Sequence, residues 1–257
     1  MFDKSILSID SAFGSSTVLC SLDGNSKDLY TSIAVDASSR LWIGTARSGV
    51  SIIASDGSRT TLPYMETKEG RRIQKNTDIN KIYADSRGGV WVATQDEGLL
   101  YWHKDINRIQ CLKSSALKGR MENESVKCML EIGDGKVLMG TVNGLLEYNP
   151  RTGRFSVPYK ELADKICISL YKDSRGNVWA GTFYDGMYRI GPDGRIRHFC
   201  WDEPVSVDVS YLNHTPNRNC VRAFAEDGKG RFWLSVYGGL GIFDEKSGTI
   251  ELLRDRI

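Results

Sequence analysis

Asp85, Asp173 and Asp227 recur in the phrases DSRGGVW, DSRGNVW and DGKGRFW, and paired carboxylates are a common device for general acid–base chemistry. Each of the three, however, fills the same place in a separate copy of one repeated phrase. They are therefore expected many ångströms apart, each bonding its own downstream backbone in a turn. The chain has no GxSxG elbow, HExxH helix, Walker A loop or EF-hand ligand series. The fragment GDGKV at 133–137 lacks the phosphate-loop spacing and reads as a hairpin turn. Six cysteines (Cys20, Cys111, Cys128, Cys167, Cys200, Cys220) contain no CxxC pair, and the chain has three histidines. A Cys/His zinc site is thus not expected, nor any other metal or cofactor, and no catalytic residue is assigned. Cys128, Cys167 and Cys220 each precede the repeated phrase and read as buried thiols; spacing fixes no disulfide. Asn123-Glu-Ser and Asn213-His-Thr match the glycosylation acceptor pattern, a match that a bacterial source would make accidental.

The phrase that carries these aspartates occurs five times: DASSRLWIGTARSG at 36–49, DSRGGVWVATQDEG at 85–98, IGDGKVLMGTVNG at 132–144, DSRGNVWAGTFYDG at 173–186 and DGKGRFWLSVYGG at 227–239. Aligning Trp42, Trp91, Leu138, Trp179 and Trp233 gives spacings of 49, 47, 41 and 54 residues. That period marks a repeat architecture, and a unit of this size must stack on its neighbours to bury an apolar face. Within the fourth copy, ICISLYKD, NVWAGTF, MYRIG and RIRHFC read as four strands of an antiparallel meander. Gly88, Gly176 and Gly230 supply positive φ in the first turn, and Gly49, Gly98, Gly144, Gly186 and Gly239 in the second. Trp42/Gly44, Trp91/Ala93, Leu138/Gly140, Trp179/Gly181 and Trp233/Ser235 place a large residue beside a small one on the same strand face, as an inter-blade core requires.

The expected fold is all-β: a single β-propeller of about five full four-stranded blades plus a partial one. The blades fall near 28–63, 77–113, 124–159, 164–201 and 218–257, with the partial one in 1–27, where 5–22 read as two strands. Long connections at 63–78, 113–125 and 201–219 are the places where such folds carry binding.

Apolar content of 40%, charged content of 26% and a net charge of +2 are ordinary for a globular chain, and no basic cluster points to nucleic acid. No 18-residue window is free of charge, so no membrane-inserting segment is expected. The start MFDKSILSIDSAFG has no signal-peptide pattern. That fits either a cytoplasmic protein or a piece of a longer exported one.

The phrase D-x-x-G-x-W-h-G-T-x-x-G-h (h apolar) resembles the two-component regulator propeller repeat. The likeness extends over about 220 of the 257 residues. Copy three departs at Ile132 and Leu138, and copy five at Ser235 and Val236. The resemblance implies the periplasmic sensor region of a hybrid two-component system of Bacteroidetes type. In that family two propellers, usually of seven blades each, precede a β-sandwich, a membrane helix and a histidine kinase. None of the last three is visible in this sequence, which favours the reading as a piece of a sensor. The resemblance further implies recognition of oligosaccharides from dietary or host glycans, and signalling to the kinase.

If a sugar is the ligand, aromatic faces should meet the apolar sides of the pyranose, and Asp, Asn, Gln and Arg its hydroxyls. The non-repeating letters after strand two and in one long connection supply these types: Arg47, Asp96, Asn143, Tyr184, Asp185, Trp201, His214 and Tyr237. Tyr184, Asp185 and Tyr237 stand out as bulky or polar residues that the turns do not need. Two other classes stay open: a scaffold whose exposed blades meet another propeller or a second copy, and a propeller lyase, which would need a metal and clustered His/Glu.

Overall fold

Apolar residues at alternate positions, bounded by Asp- and Gly-containing turns, form short strands throughout the computed structural model. It describes residues 5–9, 15–22, 28–61, 64–66, 72–74, 77–95, 98–103, 106–112, 125–202 and 218–253. The chain makes two compact units, residues 1–112 and 113–257. In the first, β1 (Ser5–Ile9) and β2 (Ser16–Ser21) form a hairpin. β3 (Tyr30–Val35), β4 (Leu41–Thr45), β5 (Val50–Ile53) and β6 (Arg59–Thr61) form blade one. A second hairpin, β7 (Tyr64–Glu66) and β8 (Arg72–Gln74), lies in what the sequence presented only as a long connection. Blade two is β9 (Ile79–Ala84), β10 (Gly89–Thr94), β11 (Leu99–His103) and β12 (Ile106–Leu112).

The second unit holds three blades. Blade three is β13 (Val126–Ile132), β14 (Lys136–Thr141), β15 (Gly144–Asn149) and β16 (Arg154–Ser156). Blade four is β17 (Cys167–Lys172), β18 (Val178–Thr182), β19 (Met187–Ile190) and β20 (Ile196–Phe199). Blade five is β21 (Val221–Glu226), β22 (Phe232–Val236), β23 (Gly239–Asp244) and β24 (Thr249–Leu252). Every blade is an antiparallel meander, so the fold is the expected β-propeller type with five four-stranded blades and a partial one.

Blades pack through the repeated large and small residues. Trp42 sits in one apolar cluster with Ile79, Ile82, Val90 and Leu100 of the next blade. Trp179 does the same with Val221, Leu234 and Phe243, and Leu138 with Cys167, Ala180 and Tyr188. The small residue two places on admits the next blade's first strand. A Cβ on Gly181 would lie 2.4 Å from the Val221 carbonyl, and one on Gly140 would lie 2.7 Å from that of Cys167. Ser169 hydroxyl donates to the Val221 carbonyl at 2.7 Å across the same seam. Trp233, in the last blade, is only half-buried, unlike Trp42, Trp91 and Trp179. Of the cysteines whose side chains are described, Cys20, Cys128, Cys167 and Cys220 are buried free thiols and Cys200 is exposed.

The repeated aspartate does more than make a turn. Asp173 Oδ1 accepts the backbone N–H of Arg175 (3.0 Å) and Asn177 (2.7 Å), while Oδ2 accepts the indole N–H of Trp179 at 2.9 Å. The same bond joins Asp36 to Trp42 at 2.8 Å, Asp85 to Trp91 at 2.9 Å and Asp227 to Trp233 at 2.9 Å. Burial pulls the Asp36 and Asp173 carboxyls upward, but the indole and amide donors outweigh it and hold both below the usual carboxylate range. For Asp227 the Trp233 indole is the largest influence, again downward. Copy three, which has Ile132 and Leu138 at the two places, lacks both partners together. There Ile132 packs against the apolar cluster that holds Leu138.

Changing Asp173→Ile or Trp179→Leu alone should each destabilise the fold by about 2–4 kcal/mol, since each strands a buried partner or opens a cavity. The double change, which imitates copy three, should cost less than the sum by about 1–2 kcal/mol. Urea unfolding of the four proteins gives the coupling; strict additivity would show that indole and carboxylate act independently.

Candidate functional site

Residues directly opposite one another on neighbouring strands share a sheet face. Trp179 on β18 is in register with Arg189 on β19, which is in register with Arg197 on β20. Trp179 packs on blade five, so the two arginines face the same way. Opposite them, in the turn between β23 and β24, stands Glu245. It accepts from Arg175 at 2.8 Å and, in a short contact, from Arg189, and it forms an ion pair with Arg197 at 3.5 Å. Arg175, from the β17–β18 turn, has its pKa raised chiefly by that hydrogen bond to Glu245.

Arg175, Arg197 and Glu245 border a cleft of about 760 Å³ between blades four and five, both within the second unit; Arg189 lies off its lining. Its floor is aromatic: Trp179 and Phe232 have ring centroids 4.7 Å apart, and Phe243 stands edge-on to Trp179 at 5.9 Å. Glu226, Arg231, Asp244 and Lys246 complete the charged border. Glu226 is already held by the Ser174 backbone N–H (2.7 Å) and hydroxyl (3.2 Å). Arg231 pairs with Asp227 at 2.5 Å. An apolar floor ringed by guanidiniums and carboxylates suits a polar ligand with one ring-like apolar face.

None of the ligand residues expected from the sequence lines this cleft. The meander explains why. The β17–β18 and β19–β20 turns lie at one end of the blade, and the β18–β19 loop, with Tyr184 and Asp185, at the other. Asp96 and His214 lie outside the described residues. Arg47 and Asn143 are exposed, and Tyr237 is 42% exposed. Tyr184, a candidate ligand residue, is 4% exposed and stands edge-on to Phe183 at 4.6 Å. Trp201 is half-buried, its indole N–H donating to the Gly248 carbonyl at 2.9 Å.

Asp185 is the hub of a second cluster. Its carboxylate accepts the Tyr188 hydroxyl at 2.5 Å and pairs with Lys165 at 2.8 Å, while its carbonyl lies 2.6 Å from His198 Nε2. The Tyr188 and His198 rings stack at 4.4 Å. Burial, then the hydrogen bond to Asp185, pushes the Tyr188 phenol far above the usual tyrosine range. Asp185 is therefore already neutralised within the blade.

The repeated threonine is a further residue that turn logic alone did not assign. Thr182 hydroxyl donates to the Gly186 carbonyl at 2.9 Å and accepts the Asp185 N–H at 2.8 Å, closing the loop from inside. Thr45 and Thr94 donate likewise to Gly49 and Gly98.

Comparison with known proteins follows the repeat. The family described as two component regulator propeller matches residues 74–96 and 161–184, in the second and fourth copies. The chain thus carries two-component regulator propeller repeats. No curated protein matches. Among solved structures, the extracellular domain of a hybrid two-component system from B. thetaiotaomicron superposes with a TM-score of 0.67 at 18% identity, over 86% of this chain and 29% of that one. Virginiamycin B lyase from Staphylococcus aureus gives 0.62 at 15% identity, over 86% and 68%. A gluconolactonase from Xanthomonas campestris gives 0.58 at 14% identity, over 91% and 76%. At such identities the likeness is one of fold. The chain spans under a third of the two-component extracellular domain it matches.

Unfolded tyrosine ionises near pH ~10, whereas folded Tyr188 holds its proton well above that. The folded state then binds more protons in this alkaline range, so the stabilisation is complete below about pH 10 and is lost as pH rises. Asp185→Asn should bring Tyr188 ionisation down and flatten the alkaline loss of stability, read by phenolate absorbance against a Tyr188→Phe control. An unshifted titration would show that Asp185 does not hold the phenol's proton.

Proposed function

We propose that this chain is a non-catalytic ligand-sensing propeller of a hybrid two-component receptor, placed outside the cytoplasmic membrane and coupled to a histidine kinase. The observation that carries this reading is the pair of matched two-component propeller repeats set in five blades of the same design. The likeness of fold to a two-component extracellular domain agrees with it. Lyases and a lactonase share the architecture, so the fold does not separate sensor from enzyme. The residues weigh toward binding. Asp36, Asp85, Asp173 and Asp227, the recurring carboxylates, are each saturated by turn amides and an indole.

The ligand in this reading is an oligosaccharide. A second reading, contact with another propeller or a second copy, is favoured by exposed apolar side chains on β3, where Ile33 is 53% and Val35 61% exposed. Purified protein should show a saturable thermal shift with at least one member of a panel of plant, host and microbial oligosaccharides. It should also run at one mass in light scattering across a wide concentration range. A flat response to the whole panel together with a concentration-dependent dimer, abolished by Ile33→Lys, would favour the scaffold reading instead.

A further inference from the structure

Three guanidiniums converge on Glu245, a carboxylate that lines the cleft between blades four and five: Arg175 and Arg189 donate to it and Arg197 pairs with it at 3.5 Å. Asp173, the other carboxylate within reach of Arg175 (3.3 Å), already accepts Trp179, Asn177 and two backbone amides. A carboxylate offers roughly four acceptor positions, and three guanidiniums offer about fifteen donors. The donor set is therefore far from spent. One of its atoms, Arg189 Nε, is buried and has no acceptor among the described residues. A buried unpaired N–H costs stability, so it marks this cluster as under-satisfied. Arg189 lies off the lining of the cleft, whereas Arg175 and Arg197 line it and are the donors an entering anion meets.

The surroundings favour an anion further. Arg197 Cζ lies 4.9 Å from the Phe199 ring centroid while the side chain remains half-exposed, so the ring helps to place the guanidinium before any ligand arrives. The aromatic floor lowers the local dielectric and strengthens each charge-assisted bond. Glu245 sits in a turn rather than a strand, so its side chain can leave without breaking a ladder.

We infer that this cleft is a binding site for a carboxylate- or sulfate-bearing saccharide, and that Glu245 occupies the anion's place in the free protein. The anion subsite stands on the arginine geometry alone; that its bearer is a saccharide rests on the sensing function proposed above. The incoming acid group displaces Glu245 from the arginines, and the sugar ring lies against the aromatic floor.

Calorimetric titration of the whole chain at low ionic strength tests this with four probes: trigalacturonate, a sulfated disaccharide, neutral maltotriose and inorganic sulfate. At least one acidic sugar should bind and maltotriose should not. Glu245→Gln should tighten the acidic sugar about tenfold by removing the internal competitor, and exposed Arg197→Gln should weaken it about tenfold. Both variants are checked for an intact melting transition; Glu245→Ser replaces the first if it fails and Arg175→Gln the second. Sulfate binding as tightly as the sugars would keep the anion subsite and sink the saccharide. Maltotriose binding equally, unaffected by Glu245→Gln, would overturn the anion subsite and leave the sensing reading standing. No binding by any probe, with Glu245→Gln merely less stable, would make the cluster an inter-blade clamp and overturn the inference.

Discussion

A single hydrogen bond, from a tryptophan indole to an aspartate six residues earlier, ties local to tertiary structure in this chain. The aspartate caps the turn that precedes the tryptophan's strand, and the tryptophan is the main side chain offered to the next blade. Burying an indole places about 150–250 Å² of surface out of water, but only if its N–H finds an acceptor. The carboxylate supplies it and is itself satisfied by turn amides, so neither group is buried unpaired. One oxygen of Asp173 organises the turn and the other fixes the ring. Copy three shows the constraint from the other side. With Ile132 and Leu138 in the two places, there is no indole to satisfy and no carboxylate to bury, and the apolar pair packs instead.

Once the ring is fixed, the residue two places on must be small. Gly181 and Gly140 lie where the next blade's first strand presents backbone carbonyls, so a methyl group there would push blades apart. Ala93 and Ser235 stand at the corresponding places in blades two and five. Trp233 keeps its aspartate bond and is half-buried.

The strands, the turns and the packing role of Trp and Gly were legible because they repeat, and repetition averages away local noise. The bond between Asp and Trp was less so: spacing by six is neither a strand nor a helix period, and only the turn's curvature brings the two groups together. The burial of Tyr184 was illegible for a related reason. A loop position suggests exposure, but a loop closed from inside by Thr182 folds its middle residue back on the blade. The arginine cluster was illegible as a motif because its members come from Arg175, Arg189, Arg197 and Glu245, in separate turns and strands. A signal was nevertheless present. Trp179 was assigned to the face that meets the next blade, and pairing β18 with β19 and β20 puts Arg189 and Arg197 on that face as well.

That row, running outward from the repeated large residue across the sheet, is where the blades differ from one another. It reads Trp42–Ile52–Thr60 in blade one and Trp91–Tyr101–Gln110 in blade two. It becomes Leu138–Glu147–Ser156 in blade three, Trp179–Arg189–Arg197 in blade four and Trp233–Ile242–Glu251 in blade five. The inner member is fixed by the core, and the outer two differ from blade to blade. In blade three the charge in the row is closed by its own neighbour, Lys136 to Glu147 at 3.0 Å. In blade four it is closed by the facing blade, through Glu245. A charge satisfied within its own sheet stiffens that sheet; one satisfied across an opening between sheets can be satisfied by something else. The inner position of each row is therefore set by blade packing, and the outer two set the charge that the blade presents beside it.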